Sequence, residues 1–297
     1  MVPAFAVLWA LLGSAGECPS ILEAGRRAYE ERRFPAAVAE FEKASRACPN
    51  RAVALLPLAQ AQLMAQQLED SLQTLDALLQ LDSGHVDALK LRGDVLYLLG
   101  RETEAEQSLR SVLALDPQHE ATQYALARIL YQENRFPEAT ELFAGLVTRD
   151  PRNYRAHDNL ALCYAAVRED GKAMQHFLKA LELVHKDHPQ YDTVYANAAH
   201  FLLERGSFEK AFQLAVEAAD RNPRSARNFF LAGKALMRLE KAELSIRWFQ
   251  QAIALDSSYA EAYYWLSNGY RKLGRNEDAV RELKTFSELS KKPKAKR

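Results

Sequence analysis

Cysteine is scarce in this sequence, and so is any excess of charge of one sign. Three cysteines in 297 residues, Cys18, Cys48 and Cys163, are too few for a scaffold built on disulfides. Lys and Arg together number 39, as do Asp and Glu. No net field therefore directs the chain towards nucleic acid or anionic lipid, and any electrostatic selectivity must be local.

Long apolar runs are also missing. The run at residues 4–12 is too short to cross a bilayer as a helix, so we expect no stable membrane span. It lies in an uncharged leader, residues 1–16, which ends in Ser14, Ala15 and Gly16. This pattern predicts a signal peptide cleaved before Glu17 and an exported, periplasmic or secreted protein. The alternative is an apolar extension of the first helix in a cytoplasmic protein.

Catalytic motifs are absent as well. The sequence contains no HExxH, GxSxG, GxxxxGK[ST] or GxGxxG segment, so we predict neither an enzyme nor a cofactor. His185, Asp187 and His188 are the nearest approach to a metal-ligand cluster. Solvated polar residues at a helix end explain them without a metal, and no metal site is predicted.

Repetition is what the sequence does contain. Small residues recur at an interval of 34 in two columns, with one four-residue slip before the sixth repeat. The first column is Gly25, Ala59, Gly93, Ala127, Ala161, Ala199, Gly233 and Ser267. The second column, twelve residues later, is Ala37, Ser71, Ala105, Ala139, Ala173, Ala211, Ser245 and Ala279. Small side chains allow two helices to cross at the usual distance of about 8 to 10 Å, which predicts stacked helical hairpins.

A third, mostly bulky column follows four residues after the second. Its members are Phe41, Leu75, Leu109, Phe143, Phe177, Ala215, Phe249 and Leu283, and we expect them to pack one hairpin on the next. Turns inside the hairpins carry Gly100, Asn134, Gly206 and Gly274, which tolerate a positive φ. Two irregularities stand out. Pro57 predicts a helix that starts late, at Leu56, or bends, and the slip near residues 186–189 predicts a longer loop.

The pattern resembles the tetratricopeptide repeat family over residues 18–289, and segments such as 156–189 and 121–151 look like its repeat. The resemblance implies an all-α, right-handed superhelical solenoid of about eight antiparallel helix-turn-helix repeats, with the first helices lining a concave groove. We place the repeats near residues 18–51, 52–85, 86–119, 120–153, 154–187, 192–225, 226–259 and 260–290. Residues 291–297 are predicted to be a basic, disordered tail.

The groove is the predicted binding surface, because Tyr, Arg and Asn recur on the face of the first helices opposite the small column. The candidates are Arg26, Tyr29, Lys90, Asp94, Tyr97, Tyr124, Arg128, Tyr131, Arg155, Asp158, Asn159, Asn197, His200, Arg227, Phe230, Lys234, Tyr264, Asn268 and Arg271. Taken singly, each could be an ordinary helix-surface residue. Lys234 and Arg238, near Arg271 and Lys272, predict a basic region suited to an acidic segment or a C-terminal carboxylate.

Cys18 and Cys48 begin and end the first predicted hairpin. Antiparallel pairing would bring their Cα atoms within the roughly 7 Å that a disulfide allows. We predict that bond if the protein is exported and two thiols otherwise, while Cys163 is predicted to be a buried thiol.

These observations predict a non-enzymatic scaffold in the cell envelope that binds a protein or peptide and no nucleic acid. A cytosolic adaptor or co-chaperone is the first alternative, distinguished by retention of residues 1–16. The second is the repeat region of a glycosyltransferase-type enzyme, which we disfavour because the repeats occupy nearly all of the sequence.

Overall fold

Helices form nearly all of the described chain. The structure is a computed structural model that describes residues 5–291, with the side chains of residues 17–291. These residues form sixteen α-helices and no strand, which confirms the all-helical prediction. None of the described helices combines the length and the apolar character that a membrane crossing requires. The predicted signal peptide and the basic tail beyond Lys291 lie outside the residues whose side chains are described.

Two compact units divide the chain after Glu133. Unit 1 contains α1 (Phe5–Glu30), α2 (Phe34–Ala47), α3 (Ala52–Met64), α4 (Leu68–Leu81), α5 (Val86–Leu98), α6 (Glu102–Leu115) and α7 (Glu120–Gln132). Unit 2 contains α8 (Phe136–Arg149), α9 (Tyr154–Ala166), α10 (Asp170–Asp187), α11 (Thr193–Glu204), α12 (Phe208–Arg221), α13 (Ala226–Arg238), α14 (Ala242–Leu255), α15 (Ala260–Lys272) and α16 (Asn276–Ser290). Within each unit, consecutive helices pack as antiparallel neighbours.

A left-handed residue marks the turn between the first and second helix of every hairpin. The positive φ angles expected at Gly100, Asn134, Gly206 and Gly274 are present. The same conformation occurs at Arg32, Gln66, Arg168 and Glu240, where the residue type gives no signal. In the α5–α6 turn the Arg101 N–H donates to Leu96 O at 2.9 Å, the hydrogen bond that closes a helix of this kind.

The small columns lie where the two helices of a hairpin touch. A Cβ added to Gly93 would lie 2.7 Å from Leu109 Cδ2. Added at Gly25 or Gly233, it would meet the ring of Phe41 or Phe249 at 2.6 and 2.7 Å. The bulky residue thus also packs on the first helix of its own hairpin, a contact that the expectation of packing between successive hairpins did not include.

Some bulky residues also reach the next hairpin. The ring centroids of Phe177 and Phe201, on α10 and α11, lie 5.3 Å apart. Leu283 is the exception at the other extreme, since it is 45% exposed on α16, the last described helix. Burial of one Phe or Leu side chain contributes about 1.5 to 3 kcal/mol. The six buried Phe and Leu members of the column make this contribution, whereas the small Ala215 and the exposed Leu283 do not.

At both irregularities the structure departs from part of the prediction, and the alternative of a bend at Pro57 stays a prediction. Helix α3 begins at Ala52 and continues through Pro57, so the late start at Leu56 was wrong. The slip is absorbed mainly by α10, which has 18 residues where α8 and α12 each have 14. Four residues make about one helical turn, and a longer helix rather than a longer loop therefore accommodates them.

Candidate functional site

Six predicted groove residues in unit 1 are half-buried and two are exposed. Arg26 and Arg128 are the exposed ones, while Tyr29, Lys90, Asp94, Tyr97, Tyr124 and Tyr131 lie partly buried on α1, α5 and α7. The ammonium of Lys90 pairs with the Asp94 carboxylate, and the Tyr97 hydroxyl donates to Gln132 Oε1 at 2.8 Å. This surface is accessible, polar and aromatic, as binding surfaces commonly are.

In unit 2 the predicted residues divide into accessible and buried groups. Arg155, His200, Arg227, Tyr264 and Arg271 are exposed, and Asn159, Lys234 and Asn268 are half-buried. Asp158, Asn197 and Phe230 are 4%, 8% and 6% exposed. The sequence did not separate these groups, because a helix face that is polar by pattern can still be covered by the neighbouring hairpin.

Asp158 and Asn197 belong to a hydrogen-bonded row that crosses three first helices. Asn197 Nδ2 on α11 donates to Asp158 Oδ2 on α9 at 2.8 Å. Arg227 Nη2 on α13 donates to Asn197 Oδ1 at 2.9 Å. The row fastens three successive hairpins to one another, and Arg227 is its accessible end.

The other oxygen of Asp158, Oδ1, is buried and has no hydrogen-bond partner among the described residues. Burial raises the pKa of this carboxyl to about 7, against the opposing effects of the Asn197 hydrogen bond and the Arg227 charge. Asp158 is therefore part of the support beneath the surface rather than a side chain that a partner can reach.

Phe230 is a core residue, contrary to the prediction. Its ring lies 6.0 Å from that of Phe249 and 4.9 Å from that of Tyr259, measured between centroids. A phenyl ring at this position gains more from burial between hairpins than from exposure to solvent.

Two of the four cations in the predicted basic region are paired with glutamate side chains. Lys234 Nζ lies 3.6 Å from Glu204 Oε1, and Lys272 pairs with Glu240. Arg238 packs its guanidinium 4.8 Å above the Phe208 ring, and Arg271 donates to Asn268 Oδ1 at 2.7 Å. Among the described residues, Arg238 and Arg271 have no carboxylate within ion-pair distance, so these two carry the excess positive charge.

A histidine pair in unit 2 was not found from the sequence. His157 Nδ1 and His176 Nδ1 lie 2.9 Å apart, on α9 and α10, and His157 Nε2 lies 3.2 Å from Pro151 O. Burial lowers the pKa of both rings. No motif links these positions, and only the pairing of the two helices places them together. Among residues 17–291 no group of three or more His, Cys, Asp or Glu side chains is placed to hold a metal ion.

The first hairpin contains a disulfide. Cys18 and Cys48 are bonded, with 5.0 Å between their Cα atoms, and the bond joins α1 to the residue after α2. Cys163 is fully buried in α9. Burial raises the pKa of its thiol to about 11, which leaves it protonated and poorly reactive at neutral pH.

Family comparisons identify the repeats. Models described as tetratricopeptide repeat match residues 22–86, 56–120 and 96–157. A further model, described as TPR repeat, matches residues 233–274. The chain belongs to the tetratricopeptide repeat family, whose members are generally non-catalytic scaffolds for protein interaction.

Solved structures with the same fold come from several bacteria. A tetratricopeptide repeat protein from Parabacteroides merdae superposes with a TM-score of 0.71 at 16% identity, over 86% of this chain and 99% of the other. PilF of Pseudomonas aeruginosa gives 0.59 at 21% identity, over 71% and 94%. MamA of Desulfovibrio magneticus RS-1 gives 0.52 at 16% identity, over 60% and 98%. At these identities the likeness shows the fold alone.

A curated relative matches a shorter part of the chain. The probable UDP-N-acetylglucosamine–peptide N-acetylglucosaminyltransferase SEC of Arabidopsis thaliana is 26% identical over 101 residues, which are 34% of this chain. The match spans 10% of that protein.

Proposed function

We propose that the protein is a non-enzymatic scaffold that binds a protein or peptide on the groove face of its first helices. The observation that carries this proposal is the arrangement on α9, α11, α13 and α15. Exposed polar and aromatic side chains recur on these four helices. The exposed Arg227 is hydrogen-bonded to the buried Asn197, which is in turn hydrogen-bonded to the buried Asp158. A support of this kind holds interaction groups in place before the partner arrives, which lowers the ordering cost of binding.

The partner's chemistry follows from Arg238 and Arg271. Both guanidinium groups are exposed and lack a carboxylate partner in the described part of the chain. Guanidinium forks suit carboxylates, so an acidic segment or a C-terminal carboxylate is the proposed ligand for this part of unit 2.

A location in the cell envelope is also proposed. The disulfide between Cys18 and Cys48 supports it, because disulfides persist in oxidising compartments such as the periplasm and are rare in cytosol. The uncharged leader of residues 1–16 agrees with export.

Charge reversal tests the binding surface. The partner is first captured by crosslinking in the native cell and identified by mass spectrometry, and its affinity is then measured with purified chains. Arg238→Glu combined with Arg271→Glu should weaken binding roughly tenfold or more, since two charge-assisted contacts are lost. The matched control, Lys241→Glu with Arg247→Glu, makes the same charge change at exposed positions at and within α14. Equal weakening by both pairs, or by neither, would contradict the assignment.

The location is tested by the mass and the thiol count of the protein purified from its own cell. An exported protein should lack residues 1–16 and show one free thiol, Cys163. An intact leader with three free thiols would instead favour the cytosolic adaptor or co-chaperone.

A repeat region that serves a glycosyltransferase is the second candidate, favoured by the match to the Arabidopsis enzyme. Glycosyltransferase activity that copurifies with the crosslinked chain would support it. Because the match covers a tenth of that enzyme, we assign no catalytic role to this chain.

A further inference from the structure

Two cavities in unit 1 occupy equivalent places in the repeat. Cavity 1, about 270 Å³, lies between α1 and α3, and cavity 2, about 80 Å³, lies between α5 and α7. The walls of cavity 1 include Arg26, Tyr29, Phe41, Pro57 and Gln60. The walls of cavity 2 include Asp94, Tyr97, Leu109, Ala125 and Arg128, each 68 positions later and so two repeats of 34 further on.

A glycine of the first small column lies in each of these two hairpins. Gly25 and Gly93 let the bulky residue of the second helix approach the first helix so closely that a Cβ would clash, at 2.6 and 2.7 Å. Phe41 and Leu109 therefore lie deep, and space remains above them between the first helices of adjacent hairpins. Both cavities open on the groove face, where Tyr29 and Tyr97 are half-buried.

The equivalent position beside Gly233, the third glycine of the first small column, carries a large side chain. Trp265, on α15 of the hairpin that follows Gly233, takes the position of Pro57 and Ala125 and packs against the hydrophobic cluster that contains Phe249. This position thus carries an indole in unit 2, whereas the equivalent positions in unit 1 carry the smaller Pro57 and Ala125.

From this geometry we infer that unit 1 takes an extended segment of a partner protein that inserts one aliphatic side chain into each cavity. The inference rests on the proposed function and narrows it. Cavity 2 has the volume of two to three waters at about 30 Å³ each, which suits a valine- or leucine-sized group. An apolar side chain gains affinity by leaving water for this space.

The spacing of the two side chains follows from the helix packing. α1 contacts α3, and α3 contacts α5. Two steps between neighbouring first helices, at about 8 to 10 Å each, separate the cavities by roughly 16 to 20 Å. An extended chain covers this in five or six residues at about 3.3 Å each, and only an even number turns both side chains to the same face. The partner therefore carries two aliphatic residues six positions apart.

Charge at the cavity mouths adds a second requirement. Arg128 is exposed at cavity 2, where the Asp94 carboxylate of the same wall is paired with Lys90 rather than with Arg128. Arg26 at cavity 1 is also exposed and reaches Glu23 at 3.2 Å, an exposed pair that holds it weakly. An acidic residue beside each aliphatic residue of the partner would meet these guanidinium groups.

The test uses fluorescein-labelled synthetic peptides on a Gly-Ser background and the full chain. The first peptide carries two Asp-Leu pairs with the leucines six residues apart, and the second has a spacing of five. A third has one leucine replaced by alanine. Fluorescence anisotropy should show roughly tenfold tighter binding of the first peptide than of the other two. Equal affinities, or no binding of the first peptide at millimolar concentration, would overturn the inference.

Ala125→Trp copies the natural tryptophan of unit 2 into cavity 2. It should reduce the affinity for the six-spaced peptide to that of the one-leucine peptide, while Ala114→Trp, at an exposed alanine of α6, should have no effect. If Ala125→Trp disturbs folding, as judged by circular dichroism, the peptide series with the unmodified chain decides alone. Concentration-dependent dimerisation abolished by Ala125→Trp would assign the cavities to a second copy of this chain and overturn the peptide assignment.

The two proposals fail in different ways. If a natural partner binds normally to the Ala125→Trp variant but poorly to the Arg238→Glu, Arg271→Glu variant, the role of the cavities is refuted. The scaffold function is then supported. If crosslinking captures no partner but the six-spaced peptide binds tightly, the role of the cavities is supported. The proposed binding site at Arg238 and Arg271 is then contradicted.

Discussion

Replacing Asp158 by asparagine should stabilise unit 2 at neutral and alkaline pH and change little in acid. Burial raises the pKa of this carboxyl from its ordinary value of 3.8 to about 7. Between these values the folded protein holds a proton that the unfolded chain releases, so the contribution of Asp158 to stability is complete below pH 3.8 and is lost as the pH rises through 7. The amide introduced by Asp158→Asn would keep the hydrogen bond from Asn197, because its oxygen can accept as the carboxylate does.

A pKa rise of this size corresponds to a loss of folding free energy on the order of 4 kcal/mol above pH 7, relative to acid pH. Each tenfold change in proton affinity is worth about 1.4 kcal/mol. The benefit of Asp158→Asn should therefore grow from near zero at pH 4 to a plateau above pH 7. His157 and His176 act in the opposite sense. Burial lowers the pKa of both rings, so their contribution is present above pH 6.5 and is lost as the pH falls. Both proteins contain these histidines, and their effect cancels in the difference.

The assay is urea unfolding followed by tryptophan fluorescence from pH 4 to 9. Trp248 and Trp265 both lie in unit 2, and Trp9, in the leader, is changed to phenylalanine in every protein. Because the hairpins of a solenoid can unfold in sequence, the midpoint of the tryptophan transition is compared rather than a single global free energy. Asp220→Asn, at an exposed position of α12, serves as the control. A difference that does not vary with pH, or an unmodified chain that is the more stable at pH 8, would refute the reasoning.

Two further predictions concern the backbone. Glu240→Gly should raise the free energy of unfolding by roughly 1 kcal/mol, because Glu240 is held at φ 60°, whereas Gly274→Ala should lower it by a similar amount from φ 73°. Gly233→Ala should cost about 1 to 3 kcal/mol, since its Cβ would lie 2.7 Å from Phe249. Gly145→Ala, with no atom within 4 Å of the new Cβ, should gain about 0.5 to 1 kcal/mol. Thermal unfolding of the four variants checks both, and a loss at Gly145 or a gain at Gly233 would contradict the packing argument.

The fold could be predicted because its requirements repeat. Gly93 and Ala105 are small for the same reason as their counterparts in the other repeats. The sequence therefore shows the same helix contact several times, which makes the pattern easy to recognise. Single events were harder to interpret. The slip was located correctly, but periodicity does not say whether inserted residues extend a helix or a loop. Gln66 and Glu240 show a related limit, because nothing in their side chains favours the left-handed conformation that the turn imposes.

The binding surface was predictable as a face and less so as a set of residues. Helix periodicity places Asp158, Asn197 and Phe230 on the face opposite the small column, and that pattern cannot tell how far the next hairpin covers it. The structure shows that Asn197 is hydrogen-bonded to residues of both neighbouring hairpins and that the Phe230 ring packs against the ring of Tyr259. The cavities beside Gly25 and Gly93 were also missed. The close approach that each glycine allows is visible only when both helices of the hairpin are placed.

The extra turn of α10 has a consequence for how this chain can change length. Four residues advance a helix by about 400°, so the side chains beyond an added turn face almost the direction they faced before, while the helix end moves outward by roughly 6 Å. Leu183 and Val184 remain buried near the end of the lengthened helix. One added turn of four residues is thus compatible with burial at this end of α10, whereas an addition of two residues would rotate the same side chains by about 200° and turn the apolar ones towards solvent.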